Sequence, residues 1–171
     1  KVNVYSRSPK VILYLDDKLI GDKETGKENY TATFDVPYGP GTLKAVNSKG
    51  KEEFVLKTTG DPAAIRLIAD RSKIKACKND LSYVKIELVD KNGNVVPEAS
   101  LPVKIECSGK GTVIAGGNAA YADMESFRSL TPNTFRGRAI AIVQPDGEKG
   151  DIQVKVSAKG LEDASIVIPP Y

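Results

Sequence analysis

The sequence predicts an all-β protein built from two tandem immunoglobulin-like β-sandwich domains. Along nearly all of its 171 residues, short apolar segments alternate with polar residues at a period of two, which is typical of half-buried strands. Clusters of Gly, Pro, Asn and Asp separate these segments and predict turns. No segment combines helix caps with an apolar stripe at a spacing of 3.6 residues.

Apolar alternation predicts about six strands in the first sixty residues, at 2–4, 11–15, 19–21, 30–36, 43–46 and 52–58. Asp16-Asp17 lies between two of them and predicts a hairpin turn, although Asn-Gly would be a stronger signal. The Pro37–Gly41 stretch holds two Pro and two Gly, which exclude a central strand.

Thr58-Thr-Gly-Asp-Pro62 is polar and carries both Gly60 and Pro62, so it predicts a linker. We therefore expect two domains, residues 1–60 and 61–171. The second half repeats the alternation, with strands expected at 64–69, 74–77, 84–88, 103–107, 112–115, 139–143, 152–156 and 166–168. Seven or so strands over about 107 residues, with the short segment at 74–77 as an eighth, fit an immunoglobulin-like sandwich.

A long polar loop precedes the strand at 139–143 and carries Phe127 and Phe135, two of the four Phe in the chain. Aromatic rings in a polar loop predict that it is anchored to a core. On that expectation, Phe135→Ala would open a cavity and cost about 3–5 kcal/mol. Arg136-Gly137 predicts a tight turn into the strand, and Arg136 and Arg138 are candidate ion-pair or interface donors.

The same stretch carries a family resemblance. Glu125-Ser-Phe127, a spacer, then Phe135-Arg-Gly-Arg-Ala139 and an apolar strand resemble the last immunoglobulin-like domain of bacterial β-galactosidases of glycoside hydrolase family 2. In that family a turn close to Gly-Asn-Gly-Asp-Pro comes first, and here Gly116-Gly-Asn-Ala-Ala120 is read as that turn. The strands at 2–5 and 11–21 resemble a small sandwich domain near the C-terminus of the same enzymes. Together, the small sandwich domain followed by the last immunoglobulin-like domain covers the whole chain.

The resemblance implies a non-catalytic C-terminal fragment of an enzyme that hydrolyses β-galactosides by a retaining mechanism. It implies as partners the catalytic barrel and other domains of that enzyme, with homo-oligomer contacts as a further possibility, and a periplasmic or extracellular location. The two catalytic Glu of such enzymes lie on a TIM barrel. A barrel needs about 250 residues and does not fit in this chain. The opening residue Lys1, in place of Met, also suggests a fragment or a processed chain.

Composition argues against several classes of site. The net charge is only +3, and Lys is interleaved with Glu along the strands, so no nucleic-acid partner is expected. No apolar run is long enough for a membrane span. The chain has no His, the commonest transition-metal ligand, and we expect neither a metal nor a cofactor. Asp90, Asn92 and Asn94 resemble part of a calcium loop but lack its Gly and its late Glu, so they predict a hairpin.

Four glutamates are catalytic candidates by residue type alone, and we expect all of them on the surface: Glu98, Glu106, Glu125 and Glu148. No catalytic residue is therefore assigned. Tyr121, in the loop after the glycine pair, is the candidate for stacking on a sugar, against the alternative of ordinary edge packing. It keeps open a carbohydrate-binding module, although the absence of Trp argues against one.

A third hypothesis is an adhesin stalk of immunoglobulin-like repeats. The two halves of the chain are not repeats of each other, which argues against it.

The two cysteines differ in strand parity. Cys107 shares the inward face of its strand with Val103 and Ile105, whereas Cys77 falls on the opposite face from Ile74. We expect two free thiols.

Overall fold

A computed structural model describes all 171 residues, which form thirteen strands and no helix. The chain divides into two compact units, Lys1–Thr58 and Thr59–Tyr171. No helical segment of the length and apolarity that a bilayer crossing requires is present. The predicted all-β class is confirmed.

The first unit contains six strands: β1 (Val2–Tyr5), β2 (Lys10–Leu15), β3 (Lys18–Glu24), β4 (Thr31–Phe34), β5 (Thr42–Asn47) and β6 (Glu53–Lys57). They form a two-stranded sheet, β1-β4, and a four-stranded sheet in the order β3-β2-β5-β6. All pairs are antiparallel. A small core of Val11, Leu13, Ala32 and Phe34 joins the two sheets.

The Asp16-Asp17 turn has the geometry that the sequence predicts for the β2–β3 hairpin. Its two residues have φ values of 48° and 61°. Positive φ at both central residues is the mark of a type I′ turn, whose twist matches that of the flanking strands. The Asp16 carboxylate also accepts the Thr42 N–H at 2.7 Å, which offsets part of the cost of the left-handed backbone.

The second unit contains seven strands: β7 (Ala64–Ala69), β8 (Ser82–Val89), β9 (Val103–Gly109), β10 (Gly111–Gly117), β11 (Arg138–Pro145), β12 (Ile152–Ala158) and β13 (Ala164–Ile168). One sheet has the order β10-β11-β8-β7 and the other β13-β12-β9. Lettered A to G in chain order, these are the DEBA and GFC sheets of a constant-type immunoglobulin domain. The predicted immunoglobulin-like sandwich is confirmed for this unit.

The alternation that predicts these strands also identifies their inward faces. In β12, Ile152, Val154 and Val156 are fully buried, whereas the intervening Gln153 and Lys155 are exposed. One predicted strand is wrong, because residues 74–77 form only a single bridge, between Ile74 and Pro170. Ile74 nevertheless points inward, with 0% exposure, as parity predicts.

In the stretch that resembles part of a calcium loop, the Asp90 carboxylate binds backbone N–H groups of the protein itself. Its side chain is 4% exposed, and its carboxylate accepts the N–H groups of Asn92 and Asn94 at 2.9 Å and of Gly60 at 3.2 Å. Burial alone would raise the pKa of Asp90, but these hydrogen bonds hold the pKa below its ordinary value. The carboxylate therefore serves to close the turn after β8 and to bind the segment that leads into β7.

Both cysteines are free thiols. Cys77 is exposed, and Cys107 is half-buried against the core of the second unit.

Candidate functional site

The long loop between β10 and β11, residues 118–137, displays the most exposed apolar side chains of the second unit. Tyr121 is 99% exposed, Met124 is 95% exposed and Phe127 is 70% exposed. Exposed apolar groups gathered on one loop are a feature of contact surfaces. We refer to Tyr121, Met124 and Phe127 as the loop tip.

The loop folds back over the end of β10, where a glycine pair leaves room for it. A Cβ at Gly116 would lie 2.8 Å from the Ser129 carbonyl oxygen, and one at Gly117 would lie 2.7 Å from the Phe127 ring. The Gly116 N–H also donates to the Phe127 carbonyl at 2.8 Å. The predicted turn at Gly116-Gly117 is therefore wrong. Both residues are buried strand positions that permit close approach of the loop.

Side-chain amides and carboxylates stiffen the first part of the loop. Asn118 donates to the Asn133 carbonyl at 2.9 Å and to the Asp123 carboxylate at 2.5 Å. Asn133 in turn donates to the Glu125 carboxylate at 2.9 Å. The Glu125 N–H, and then the Asn118 amide, lower the pKa of Asp123 below its usual range. These bonds tie both sides of the loop together below its tip.

The returning part of the loop is bonded to the neighbouring strand β9. Val103 N–H donates to the Pro132 carbonyl at 3.0 Å, and Ile105 N–H donates to the Leu130 carbonyl at 2.7 Å. Thr134 is 1% exposed, and its hydroxyl accepts the Leu101 N–H at 2.9 Å. The loop therefore rests on a fixed base and holds its apolar tip in solvent.

The two loop phenylalanines differ from the expectation that both are anchored in a core. For Phe127 that expectation is wrong, since the ring is 70% exposed and lies over Gly117 at the end of β10 instead of in the core cluster. Phe135 is half-buried and lies outside the core cluster. The Arg136 guanidinium lies 5.6 Å from the centre of the Phe135 ring, which is cation–π distance.

Arg136 and Gly137 form the tight turn that the sequence predicts. Their φ values are 50° and 72°, and Phe135 and Arg138 exchange backbone hydrogen bonds of 2.8 and 3.0 Å across the turn. A Cβ at Gly137 would lie 2.4 Å from the Val96 carbonyl oxygen. Glycine is required here both for the backbone conformation and for the space.

Arg138 takes part in an ion pair with Glu87, a partner that sequence reasoning missed. Arg138 Nε lies 3.2 Å from Glu87 Oε1, and Arg66 binds Glu87 Oε2 through Nη2 at 2.7 Å. Glu87 is only 3% exposed. Burial alone would raise the pKa of Glu87, but the two guanidinium groups outweigh it and lower the pKa.

Glu87 alternates with apolar residues along β8, which predicts an exposed side chain, and the structure contradicts that expectation. The signal that would identify its role is cross-strand register, which places Arg66, Glu87 and Arg138 side by side on β7, β8 and β11. Register between strands cannot be read from any one of them.

The four glutamates considered as catalytic candidates are all exposed, as expected. Glu106 pairs with Lys104 at 2.8 Å, and Glu148 pairs with Lys110. Exposed pairs of this kind contribute little to stability.

Comparison with known proteins places both units in one family. A family model described as Glycoside hydrolase family 2 C-terminal domain 5 matches residues 65–167, and one described as a Domain of unknown function (DUF4982) matches residues 1–54. Among curated relatives, the β-galactosidase BoGH2A of Bacteroides ovatus is 30% identical over 167 residues, covering 96% of this chain and 20% of that enzyme. A β-glucuronidase of Formosa agariphila is 28% identical over 171 residues, covering 96% of this chain and 17% of its own.

A crystal structure of a glycosyl hydrolase family 2 member from Bacteroides cellulosilyticus superposes with a TM-score of 0.91 at 36% identity. The match covers 97% of this chain and 23% of that protein. The chain thus spans about a fifth of the length of the relatives that it matches. The resemblance carried by the Phe135–Ala139 stretch and by the first unit is confirmed, and the chain belongs to the C-terminal domains of glycoside hydrolase family 2.

Proposed function

We propose that this chain is a non-catalytic C-terminal region of a family 2 β-galactosidase and supports that enzyme through contacts with its other domains. The observation that carries the proposal is the match itself. Nearly the whole chain aligns with a β-galactosidase, yet it accounts for only 20% of that enzyme's length. The catalytic glutamate pair then lies in the remaining part, on the barrel that the family resemblance implies.

The loop tip is the surface that we assign to these contacts. Tyr121, Met124 and Phe127 stand in solvent on a base that is already bonded, so little conformational entropy is lost when a partner covers them. Arg136 is exposed, and we assign its guanidinium, which lies over the Phe135 ring, as an interface donor at the other end of the loop. Arg138 has the structural role of pairing with Glu87.

Three proteins test the proposal: the product of the whole reading frame that contains this chain, the same product without it, and the 171-residue chain alone. Hydrolysis of nitrophenyl β-galactoside and β-glucuronide is measured beside the melting temperature. We expect hydrolysis by the whole product, none by the chain alone, and a lower melting temperature after truncation. Hydrolysis by the chain alone would overturn the non-catalytic assignment, and a truncation without effect on stability or rate would overturn the supporting role.

Carbohydrate binding through Tyr121 is a second candidate, favoured by the 99% exposure of this ring on a stiff loop. Affinity electrophoresis through gels containing galactan, xylan or pectin tests it, with Tyr121→Ala as the variant. Tyr38→Ala is the matched control, because Tyr38 is 94% exposed in the other unit. Retardation that Tyr121→Ala abolishes and Tyr38→Ala preserves supports sugar binding, and equal mobility of all three proteins in every gel refutes it.

The family also favours a periplasmic or extracellular location and oligomer contacts through the whole enzyme. Both are part of the proposal. Fractionation of cells and the sedimentation coefficient of the whole product test them.

A further inference from the structure

In the first unit, a two-stranded sheet faces a four-stranded one, so part of the larger sheet has no partner. Leu13 on β2, Ala45 on β5 and Phe54 on β6 are cross-strand neighbours on the inner face. Their exposure rises along this row, from 1% at Leu13 to 69% at Phe54. The cover given by β1 and β4 therefore ends before it reaches β6.

The uncovered part is an apolar groove of about 270 Å³ between β1 and β6. The inner faces of β5 and β6 provide Leu43, Ala45, Phe54 and Leu56, and β1 forms the opposite wall. Leu56 is 55% exposed, and Tyr5, at the end of β1, is 73% exposed. Neighbouring strands in a sheet lie about 4.8 Å apart, so one further strand beside β1 would lie over this floor.

The free edge of β1 has the hydrogen-bonding groups for such a strand. Ser6 N–H donates to the Tyr30 carbonyl, and the register pairs Val4 with Ala32. Because bonding direction alternates along an antiparallel strand, the backbone groups of Asn3 and Tyr5 point away from β4. Two N–H and two C=O groups thus face the groove side of β1 without a partner strand.

Charge distinguishes this edge from the other edge that borders the groove. On β6, the residues whose backbone faces outward include Glu53 and Lys57, and charges of this kind protect an edge strand from pairing. β1 has the sequence Val-Asn-Val-Tyr and no charge. Of the two edges, β1 is therefore the one suited to accept a strand.

We propose that one extended segment of the rest of the enzyme adds to β1 as a third strand and places alternate apolar side chains in the groove. The inference rests on the proposed function. The occupant follows from length: this chain is 20% of a relative such as the β-galactosidase of Bacteroides ovatus. A segment tethered by a short flexible linker has an effective concentration in the millimolar range, which favours a segment of the same polypeptide over a second molecule. Addition of a strand to a free edge derives affinity from the main chain and specificity from alternate side chains.

Hydrogen exchange at residue level tests the added strand directly. The amides of Asn3 and Tyr5 are compared between the 171-residue chain and the product of the whole reading frame. We expect both to exchange about 100-fold more slowly in the whole product, while the outward amides of Glu53 and Lys57 change less than about threefold. Equal exchange of Asn3 and Tyr5 in the two proteins overturns the proposal. Protection in the chain alone also overturns it, since the occupant would then be the chain itself or, if protection rises with concentration, a second copy.

A matched pair of variants separates this proposal from the proposed function. The chain is supplied in trans to the enzyme lacking it, and the Kd is measured for wild type, Tyr5→Ala and Tyr5→Pro. Both variants lose the same ring, but only Pro removes the N–H that faces the groove, a loss that an edge strand tolerates. We expect Tyr5→Pro to bind about tenfold more weakly than Tyr5→Ala, with similar melting temperatures of the isolated chains. Equal affinities overturn strand addition and leave the proposed function standing, whereas absence of any association in trans, with unprotected amides in the whole product, overturns both.

Discussion

Gly137→Ala tests the close approach at the base of the long loop. Gly137 has a φ of 72°, and an added Cβ would lie 2.4 Å from the Val96 carbonyl oxygen. The turn cannot move away easily, because Gly137 donates to Ala99 at 2.9 Å and accepts from Leu88 at 2.8 Å. Left-handed backbone costs a non-glycine residue about 1–2 kcal/mol, and overpacking against a fixed neighbour adds about 1–3 kcal/mol. The expected loss of unfolding free energy is about 2–5 kcal/mol.

Gly160→Ala is the matched control, because Gly160 has a φ of 82° and nothing within 4 Å of an added Cβ. It carries the backbone strain without the clash and should cost about 1–2 kcal/mol.

The assay is native-state hydrogen exchange at the Val154 amide, a core position that reports opening of the second unit by itself. Each loss of about 1.4 kcal/mol in the free energy of unfolding makes this amide exchange about tenfold faster. A difference of less than about 0.5 kcal/mol between the two variants would refute the clash argument.

Three further predictions concern single side chains. Folding lowers the pKa of Glu87, so its contribution to stability is present above the unfolded pKa of about 4.3 and is lost as pH falls through the lower folded pKa. In urea titrations, the stability difference between wild type and Glu87→Gln should therefore shrink as pH falls below about 5. A difference that does not depend on pH contradicts this. Phe135→Ala should cost about 1–2 kcal/mol, since the ring is only half-buried, and Phe127→Ala less than about 1 kcal/mol; the reverse order in thermal melts would show that the loop is anchored through Phe127. Iodoacetamide should modify exposed Cys77 at least about tenfold faster than Cys107, whose pKa is raised by burial, and equal rates by mass spectrometry would contradict that.

The sequence is most informative where the evidence is local. Period-two alternation locates the strands, and Asp16-Asp17 and Arg136-Gly137 are recognised because a tight turn selects residues that tolerate positive φ. Gly116 and Gly117 are misassigned because the same residue type serves turns and close approaches. Only the position of the loop above β10 distinguishes the two roles.

The features that escape prediction depend on contacts between distant segments. Glu87 is buried because register aligns it with one arginine on each side, although nothing in its own strand differs from an exposed alternation. Phe127 looks like a core residue because aromatic rings usually are, yet its ring is 70% exposed and lies over Gly117 at the end of β10, outside the core cluster. Neither outcome can be read from the residue's own segment.

In the long loop, the side chains exposed to solvent are different from the groups that hold the loop in place. Backbone bonds to β9 and β10 and the Asn118–Asn133 contact fix its base, and none of them uses the side chains of Tyr121 or Met124. Mutations at these two positions can therefore accumulate at almost no cost to folding, and each one changes the surface offered to a partner. Among descendants of one such domain, the contact can diverge quickly while the sandwich beneath it stays the same.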